Sequence, residues 1–249
     1  MRYFIHLAYK GTNFHGWQKQ PHDSSVQHCL ETILSRILRT HISVVGAGRT
    51  DTGVHAENFY AHFDTNVSVD SFRVIHSLNT MLPHDIGVYR LFPVSDSLHA
   101  RFSALSRTYR YVVSTVKNPF VYEHAMMLFH TLDIDAMNKA CQVLFEFTDF
   151  TSFSKLHTDV NNNNCEIYVA YWEKFDSQYI FTISANRFLR NMVRAIVGTL
   201  LDVGMGKMSL AEFRSVIESR NRQNAGTSVD AKGLTLVDIA YTQEFDQYE

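Results

Sequence analysis

The chain has 249 residues, of which 45% are hydrophobic, 19% charged and 13% aromatic, with only 4 Pro and 11 Gly. This composition is typical of a globular protein with a sizeable core, and it excludes a disordered or collagen-like chain. The formal net charge of -2 gives the molecule no overall attraction to nucleic acid. The three cysteines are odd in number and far apart, which excludes a disulfide framework and any CxxC metal or redox motif.

The apolar segments bear on cellular location. No apolar run approaches the ~18 residues that a membrane span needs. The first ten residues, MRYFIHLAYK, alternate and carry charge where a signal peptide has an apolar region. We therefore expect a cytoplasmic protein that does not enter a membrane.

The first part of the chain predicts a βαββαβ order of elements. Period-two and β-branched patterns predict strands at Arg2–Tyr9, 42–47, 58–65 and 86–94. Ser24 and Gln27 have the spacing of a capping box, which predicts a helix that continues to Leu38. Asp70 is predicted to cap a second helix between the third and fourth strands.

The second part of the chain repeats this order. We predict a strand at 107–116, a short extra strand near 126–130, a helix from Asp133, strands at 166–175 and 179–185, helices from Arg187 and at 210–220, and a strand at 234–241. The pattern predicts an α+β fold of two ferredoxin-like halves, 1–105 and 106–249, that form a central mixed, mostly antiparallel sheet flanked by helices. No flexible linker separates the predicted halves, so we expect them to be rigidly joined.

Charge is unevenly distributed along the sequence. Residues 99–120 carry four cations and no acids, and residues 186–233 carry eight cations against four acids, whereas residues 121–180 carry nine acids against three cations. Such segregation allows one face of a nearly neutral molecule to be basic, although a solvated surface without a partner is the alternative. If the basic face binds nucleic acid, we expect Arg107 and Arg110 to contribute to it.

The segment GAGRTDTGVHAEN, residues 46–58, is longer than a tight connection between two strands requires. Its glycines permit close approach of a ligand to the backbone, and long loops on rigid scaffolds often carry function. Arg49 can pair with the carboxylate of Asp51 two residues later, keep it ionised and fix its direction. The structural alternative is an Asx turn in which Asp51 binds its own backbone.

Three chemistries use an aspartate in such a loop. Asp51-Thr52-Gly53 matches the aspartic-protease tripeptide, but the chain has a single copy and an α+β pattern rather than an all-β one. An aspartyl-phosphate enzyme would have a second acid at the position of Gly53. The third chemistry is attack on, or proton abstraction from, a nucleobase or its sugar.

The segment GRTDTGVHA resembles the catalytic motif of the tRNA pseudouridine synthase A family. Further matching segments follow in the same order, and together they cover nearly the whole chain: YKGTNFHGWQKQP, HARFSALSRTYRY, DFTSFS, NRFLRNMVRAIVGTL and AKGLTLVDIAYT. The resemblance implies the pseudouridine synthase fold and a cofactor-free isomerase. Members of the family convert uridine to pseudouridine at positions 38, 39 and 40 of the tRNA anticodon stem-loop. The resemblance also implies a homodimer in which one tRNA contacts both subunits.

The resemblance assigns roles to individual residues. Asp51 matches the catalytic aspartate, which acts as a nucleophile on the sugar or the base or as a proton acceptor, and Tyr109 matches the residue that stacks on the target base. Such a platform suits a uridine that must leave its stem before its glycosidic bond is accessible, because aromatic stacking contributes ~1 to 3 kcal/mol per base. Arg194 is implied to pair with Asp51. Arg187 and Arg190 are implied to contact phosphates, from the polar face of a helix that they would share with Arg194.

Two further features of the sequence bear on metal binding and on RNA affinity. The 13 histidines show no HxH or HExxH spacing, so we expect no metal, and we expect His55 to close the catalytic loop by a hydrogen bond. Residues 161–164 are four asparagines where relatives have threonine and basic residues. We therefore expect the affinity for RNA to depend less steeply on salt than in such a relative.

A non-catalytic RNA-binding protein with tandem RRM-like halves is the alternative, because βαββαβ is also the order of elements in RNA-recognition modules. These modules carry an RNP1 pattern on the third strand. Neither residues 58–65 nor residues 179–186 match that pattern.

Overall fold

The computed structural model describes residues 1–21, 23–155, 162–242 and 245. The chain forms two compact units, of which the first comprises Met1–Ser106 with Leu236–Glu249 and the second comprises Arg107–Thr235. The described residues contain nine strands and five α-helices, so the predicted α+β class is confirmed. None of the helices in these residues combines the length and the hydrophobicity of a membrane span.

The first unit is built on a four-stranded order, β4-β1-β3-β9. Its elements are β1 (Arg2–Tyr9), α1 (Val26–Leu38), β2 (Val45–Gly46), β3 (His55–Asp64), α2 (Ser71–Met81), β4 (Ile86–Val94) and β9 (Leu234–Ala240), which begins in the second unit. β1 pairs antiparallel with both β3 and β4, and the short β2 pairs antiparallel with β3. Asp51 lies on the connection between β2 and β3.

The second unit has the strand order β5-β8-β7. Its elements are β5 (Ser106–Ser114), β6 (Met126–Met127), α3 (Ile134–Leu144), β7 (Ile167–Phe175), β8 (Gln178–Ala185), α4 (Met192–Gly204) and α5 (Leu210–Glu218). β8 pairs antiparallel with β5 and β7, whereas β6 pairs parallel with β5. The strands are therefore mixed and mostly antiparallel, as predicted.

Helix α1 shows how the apolar pattern builds the core of the first unit. Its buried positions include Val26, Leu30, Leu34 and Leu38, which recur every four residues. This spacing places them on one face of the helix, which packs inwards, whereas His28, Thr32 and Arg36 on the other side are exposed.

The helix start predicted at Ser24 is wrong by one residue. Ser25 is the N-cap of α1, and its hydroxyl accepts a hydrogen bond from His28 N at 3.3 Å. Gln27 does not complete a capping box because its side chain is buried, where it donates to Val44 O at 2.8 Å and accepts from Lys19 N at 2.8 Å. Tertiary hydrogen bonds therefore override the local capping pattern.

The helix predicted from Arg187 begins later, at Met192. Asn191 precedes it with a φ of 66°, in the left-handed region, which separates the helix from the residues before it. Arg187 and Arg190 therefore lie ahead of α4, and the shared helix face predicted for them and Arg194 is wrong. Two predicted strands are also shorter than expected. The strand predicted at 42–47 spans only Val45–Gly46, and the strand predicted at 126–130 spans only Met126–Met127.

Candidate active site

The loop that carries Asp51 is held by hydrogen bonds to the segment between β1 and α1. Gly11 N donates to the buried Nδ1 of His55 at 3.0 Å, and Trp17 N donates to Thr50 O at 3.4 Å. The contacts lie on either side of Asp51 in sequence, so both ends of the loop are fixed. The hydrogen bond predicted for His55 is present, and its partner is the backbone of Gly11.

A buried side-chain hydrogen bond adds to this support. The hydroxyls of Tyr9 and Thr50 lie 2.9 Å apart, and both residues are buried. The ring of Tyr9 contacts Phe59 edge to face with centroids 5.5 Å apart, and Trp17 packs on Phe59 at 4.3 Å. Thr50, the immediate neighbour of Asp51, is thus anchored in an aromatic core.

Two glycines let the supporting segment lie directly against the loop. A Cβ atom on Gly11 would lie 1.9 Å from Val54 O, and one on Gly16 would lie 2.3 Å from Thr50 O. Gly16 also has a φ of +82°, a backbone conformation that residues other than glycine rarely adopt. The glycines of YKGTNFHGW are therefore required by contact with the loop that carries Asp51.

Asp51 opens a tight turn. Its carbonyl accepts from Val54 N at 3.1 Å, and Gly53, at the third position of the turn, has a φ of 80°. A turn with a positive φ at this position favours glycine. Asp51 is half-buried, and its carboxylate is carried on a backbone constrained by this turn.

Arg49 is exposed on the same loop. Its Nε donates to Gln18 Oε1 at 3.2 Å, so the guanidinium is tied to the supporting segment. The predicted pairing of Arg49 with Asp51 stays a prediction.

Tyr109 lies on β5 of the second unit, opposite Ile183 of β8. It is half-buried, and its ring contacts Phe188 edge to face, with centroids 5.2 Å apart and an interplanar angle of 87°. Tyr111, two residues on, is fully buried and donates from its hydroxyl to Asp230 O at 2.8 Å. Of these two tyrosines, Tyr109 retains the exposure that a base-stacking side chain needs.

The predicted RNA-contacting arginines of β5 differ in their surroundings. Arg107 is half-buried and donates from Nη1 to Asn186 O at 2.9 Å, which ties β5 to the end of β8. Arg110 is exposed, and alternation places it on the strand face opposite Tyr109.

The three arginines near α4 also differ. Arg187 is half-buried. Arg190 is exposed, and its carbonyl accepts a hydrogen bond from Lys155 N at 3.1 Å. Arg194 lies in the first turn of α4, where its Nε donates to Val229 O at 2.8 Å and its carbonyl accepts from Val229 N at 3.2 Å. The guanidinium of Arg194 is thus positioned by the segment that follows α5.

Among the described residues, no group of three or more His, Cys, Asp or Glu side chains is arranged to hold a metal ion. The chemistry that the site offers is that of a carboxylate on a rigid loop. The roles of Tyr9 and Gly11 as supports of that loop were not predicted from the sequence. The dense glycines and aromatics of YKGTNFHGW are the signal that would have indicated them.

Comparisons with known proteins agree on one family. A family model described as tRNA pseudouridine synthase matches residues 140–242. The tRNA pseudouridine synthase A of Parabacteroides distasonis is 53% identical over 244 residues, which cover 98% of this chain and 97% of that protein. The protein of the same name from Bacteroides thetaiotaomicron is 53% identical, and the match covers 98% of this chain and 91% of that protein. The one from Bacteroides fragilis is 52% identical, and the match covers 98% of this chain and 97% of that protein.

Proposed function

Because the chain belongs to the tRNA pseudouridine synthase A family, and so isomerises uridines of tRNA, we propose that it acts at positions 38, 39 and 40 of the anticodon stem-loop. The observation that carries this proposal is the identity of about half of all residues over nearly the full length of these relatives. The α+β fold of mixed, mostly antiparallel strands and flanking helices is consistent with the family.

The isomerisation balances within the uridine itself. The bond between ribose C1′ and uracil N1 breaks, a bond between C1′ and C5 forms, N1 gains a proton and C5 loses one. No electrons are gained or lost overall, so we propose that the reaction proceeds without a cofactor. The protein must supply a nucleophile or base and must hold the detached base while it turns.

We assign the first task to Asp51. Its carboxylate can add to ribose C1′, add to uracil C6 or remove a ribose proton, and each step requires it to be held within a few tenths of an ångström of the reacting atom. The Tyr9–Thr50 and Gly11–His55 hydrogen bonds support this assignment because they fix the backbone on both sides of Asp51. Arg49 and Arg194 are proposed to keep the carboxylate ionised and oriented.

We assign the second task to Tyr109. A uridine drawn out of its stem loses its neighbouring bases, and a stacked aromatic ring replaces part of that interaction. The half-buried position of Tyr109, with Phe188 against its ring, supports the assignment because the ring is braced while part of it stays accessible. Phosphates of the tRNA are proposed to be contacted by four further arginines: Arg107, Arg110, Arg187 and Arg190.

The remaining parts of the proposal concern the assembly. We propose a homodimer in which one tRNA contacts both subunits, and we propose the cytoplasm as its location. The homodimer follows from the resemblance to the family and is tested by sedimentation of the protein with and without tRNA. The location is the one expected from the apolar pattern of the sequence and is tested by fractionation of cells.

The test of site selection uses three tRNA transcripts, each with a single uridine at position 38, 39 or 40 and cytidine at the other two. After incubation with the protein, carbodiimide adducts that persist at pseudouridine are mapped by primer extension. We expect a stop at the retained uridine in each transcript and none at uridines outside the anticodon stem-loop. Modification confined to another region of the tRNA would contradict the proposed site, and binding without modification would favour the tandem RRM-like alternative.

A further inference from the structure

The turn at residues 98–105 of the first unit presents an exposed aromatic side chain. Phe102 is 76% exposed although it belongs to a well-packed unit. The Arg101 guanidinium carbon lies 5.6 Å from the centroid of the Phe102 ring, and the ring of His99 lies 4.4 Å from it. Phe102 is therefore supported by two neighbouring side chains and still keeps most of its surface open.

Hydrogen bonds within the turn fix its shape. His99 N donates to Ser103 Oγ and Ser103 N donates to His99 O, both at 2.9 Å. The Nδ1 atom of His99 accepts from Arg101 N at 3.1 Å and from Phe102 N at 3.2 Å. One histidine thus closes the turn and holds the backbone of the two residues at its tip.

The turn is also anchored to the body of its unit. Ala100 N donates to the buried Nδ1 of His62 at 3.1 Å, and the hydroxyl of Tyr241 donates to Ala100 O at 2.6 Å. Leu105 N donates to Ala240 O at 2.8 Å. Because the turn is held at its start, tip and end, the outward position of Phe102 is set by the fold.

The charge around the turn favours an anionic partner. Arg101 is exposed, and residues 99–120 contain no acid. Two acids lie near the start of the turn, and both interact with Arg2: Asp64 pairs with its guanidinium at 2.8 Å, and Asp96 accepts from its backbone N at 3.1 Å. A protein partner that buried only an apolar ring would gain nothing from this cation, whereas a nucleic acid offers both a base to the ring and a phosphate to the guanidinium.

We propose that Phe102 and Arg101 form an RNA-binding tip, in which the Phe102 ring stacks on a nucleobase of the tRNA and Arg101 binds an adjacent phosphate. The inference rests on the tRNA-isomerising function and adds a contact to it. The base bound by Phe102 is distinct from the uridine that Tyr109 holds, so the tip contributes to tRNA affinity and leaves the chemical step to Asp51.

The test compares Phe102→Ala, Phe102→Leu and Phe102→Tyr with a matched control, Phe72→Ala, which removes an 83% exposed phenylalanine from α2 of the same unit. Dissociation constants for tRNA are measured by filter binding at fixed salt, with steady-state kinetics on the same preparations. We expect Phe102→Ala and Phe102→Leu to raise Kd and KM about tenfold, the effect of losing one stacked base, with kcat unchanged. Phe102→Tyr and Phe72→Ala should bind as the wild type does.

A second pair of variants tests the phosphate contact. Arg101→Gln should reduce the slope of log Kd against log salt concentration by about one, because one fewer counterion is released. The control is Arg73→Gln, which removes an exposed arginine from α2 of the same unit, away from the turn, and it should leave the slope unchanged.

Three results would contradict the proposed RNA-binding role of the tip. Wild-type affinity in Phe102→Ala, full retention of affinity in Phe102→Leu, or a change of oligomeric state in Phe102→Ala at unchanged tRNA affinity would each exclude base stacking. The wild-type protein must form pseudouridine in the same assay. Absence of that product refutes the function itself, whereas product formation with unchanged affinity in Phe102→Ala refutes the tip alone.

Discussion

Tyr109 and Tyr111 lie two positions apart on the same face of β5, yet they meet different surroundings. Tyr109 keeps part of its ring accessible, whereas Tyr111 is buried and its hydroxyl is engaged with Asp230 O. Burial raises the pKa of Tyr111 far above its ordinary value, so this hydroxyl stays neutral. The alternation of the sequence predicts the shared face, but the difference in exposure arises from elements distant in the chain.

This difference predicts opposite effects of substitution. Tyr109→Ala should lower kcat/KM for tRNA about ten- to hundredfold, because the stacked base loses its platform, while Tyr109→Phe should stay within a few-fold of the wild type. Tyr111→Phe should leave kcat/KM unchanged and reduce the free energy of unfolding by about 1 kcal/mol, because one hydrogen bond is lost. Equal losses of activity in Tyr109→Phe and Tyr109→Ala would exclude stacking as the role of the ring.

His62 makes stability depend on pH in the acid range. Burial, then the nearby Arg2 and His99, lower the pKa of His62 to about 4. The unfolded chain has the ordinary value of 6.5, so between pH 6.5 and about 4 the unfolded state binds the extra proton. Stability should therefore fall as pH falls through this window, by at most about 1.4 kcal/mol per pH unit for this one group.

Urea denaturation at several pH values between 7 and 4.5 measures this dependence. His62→Asn keeps an acceptor for Ala100 N and cannot titrate, so its free energy of unfolding should vary less with pH than that of the wild type. Parallel pH profiles for the two proteins would show that His62 is not the group responsible. Burial also lowers the pKa of His99, so a residual slope is expected in the variant.

At the scale of elements, helix starts could be predicted where the cap is local. Asp70 and Asp133 accept from the backbone N–H three residues on, as their sequence positions indicate. The start of α1 was misplaced because Ser24 and Ser25 are adjacent and Gln27 is bonded to Val44, a residue of the next connection. The start of α4 was misplaced because the apolar stripe extends before Met192 without being helical.

In the candidate site, too, local features could be predicted from the sequence and distant contacts could not. Asp51 was identified from its motif and its glycine-rich loop, both of which are local in sequence. The residues that support its loop were not identified, because the Tyr9–Thr50 and Gly11–His55 hydrogen bonds join residues more than 40 positions apart. The sequence therefore indicated the candidate carboxylate more clearly than the residues that hold its loop in place.

The hydrogen bond between Tyr9 and Thr50, beside Asp51, predicts a positioning role for Thr50. Thr50→Val removes the hydroxyl partner of the buried Tyr9 while keeping a similar volume, so it should lower the free energy of unfolding by about 1–2 kcal/mol and lower kcat several-fold with little change in KM. Thr50→Ser restores the hydroxyl and should recover kcat. A Thr50→Val protein with full kcat would show that the loop is positioned without this hydrogen bond.

At the scale of the whole molecule, affinity for tRNA depends on how many cations meet phosphates. Asn161 lies outside the described residues, while Asn162 accepts from Asn164 N at 3.0 Å and Asn163 donates to Thr151 Oγ1 at 2.9 Å. These side chains are occupied in shaping the connection before β7 and carry no charge. The segment therefore contributes no counterion release when tRNA binds.

Adding a cation to this segment should change the salt dependence. Asn164 is exposed, and Asn164→Lys should steepen the slope of log Kd for tRNA against log salt concentration by about one, whereas the neutral control Asn164→Gln should leave it unchanged. Filter binding between 50 and 200 mM salt measures the slope. An unchanged slope in Asn164→Lys would show that tRNA does not reach this segment.

The most direct test of the account is tritium release from tRNA labelled at C5 of uridine, with the wild type and Asp51→Asn compared at equal concentrations of folded protein. C5 must lose its hydrogen when it becomes the point of attachment, so release reports the reaction itself. We predict release by the wild type and none by Asp51→Asn, with tRNA binding retained in both. Release by Asp51→Asn at the wild-type rate, or tRNA binding without release by either protein, would contradict the assignment of the reaction to Asp51.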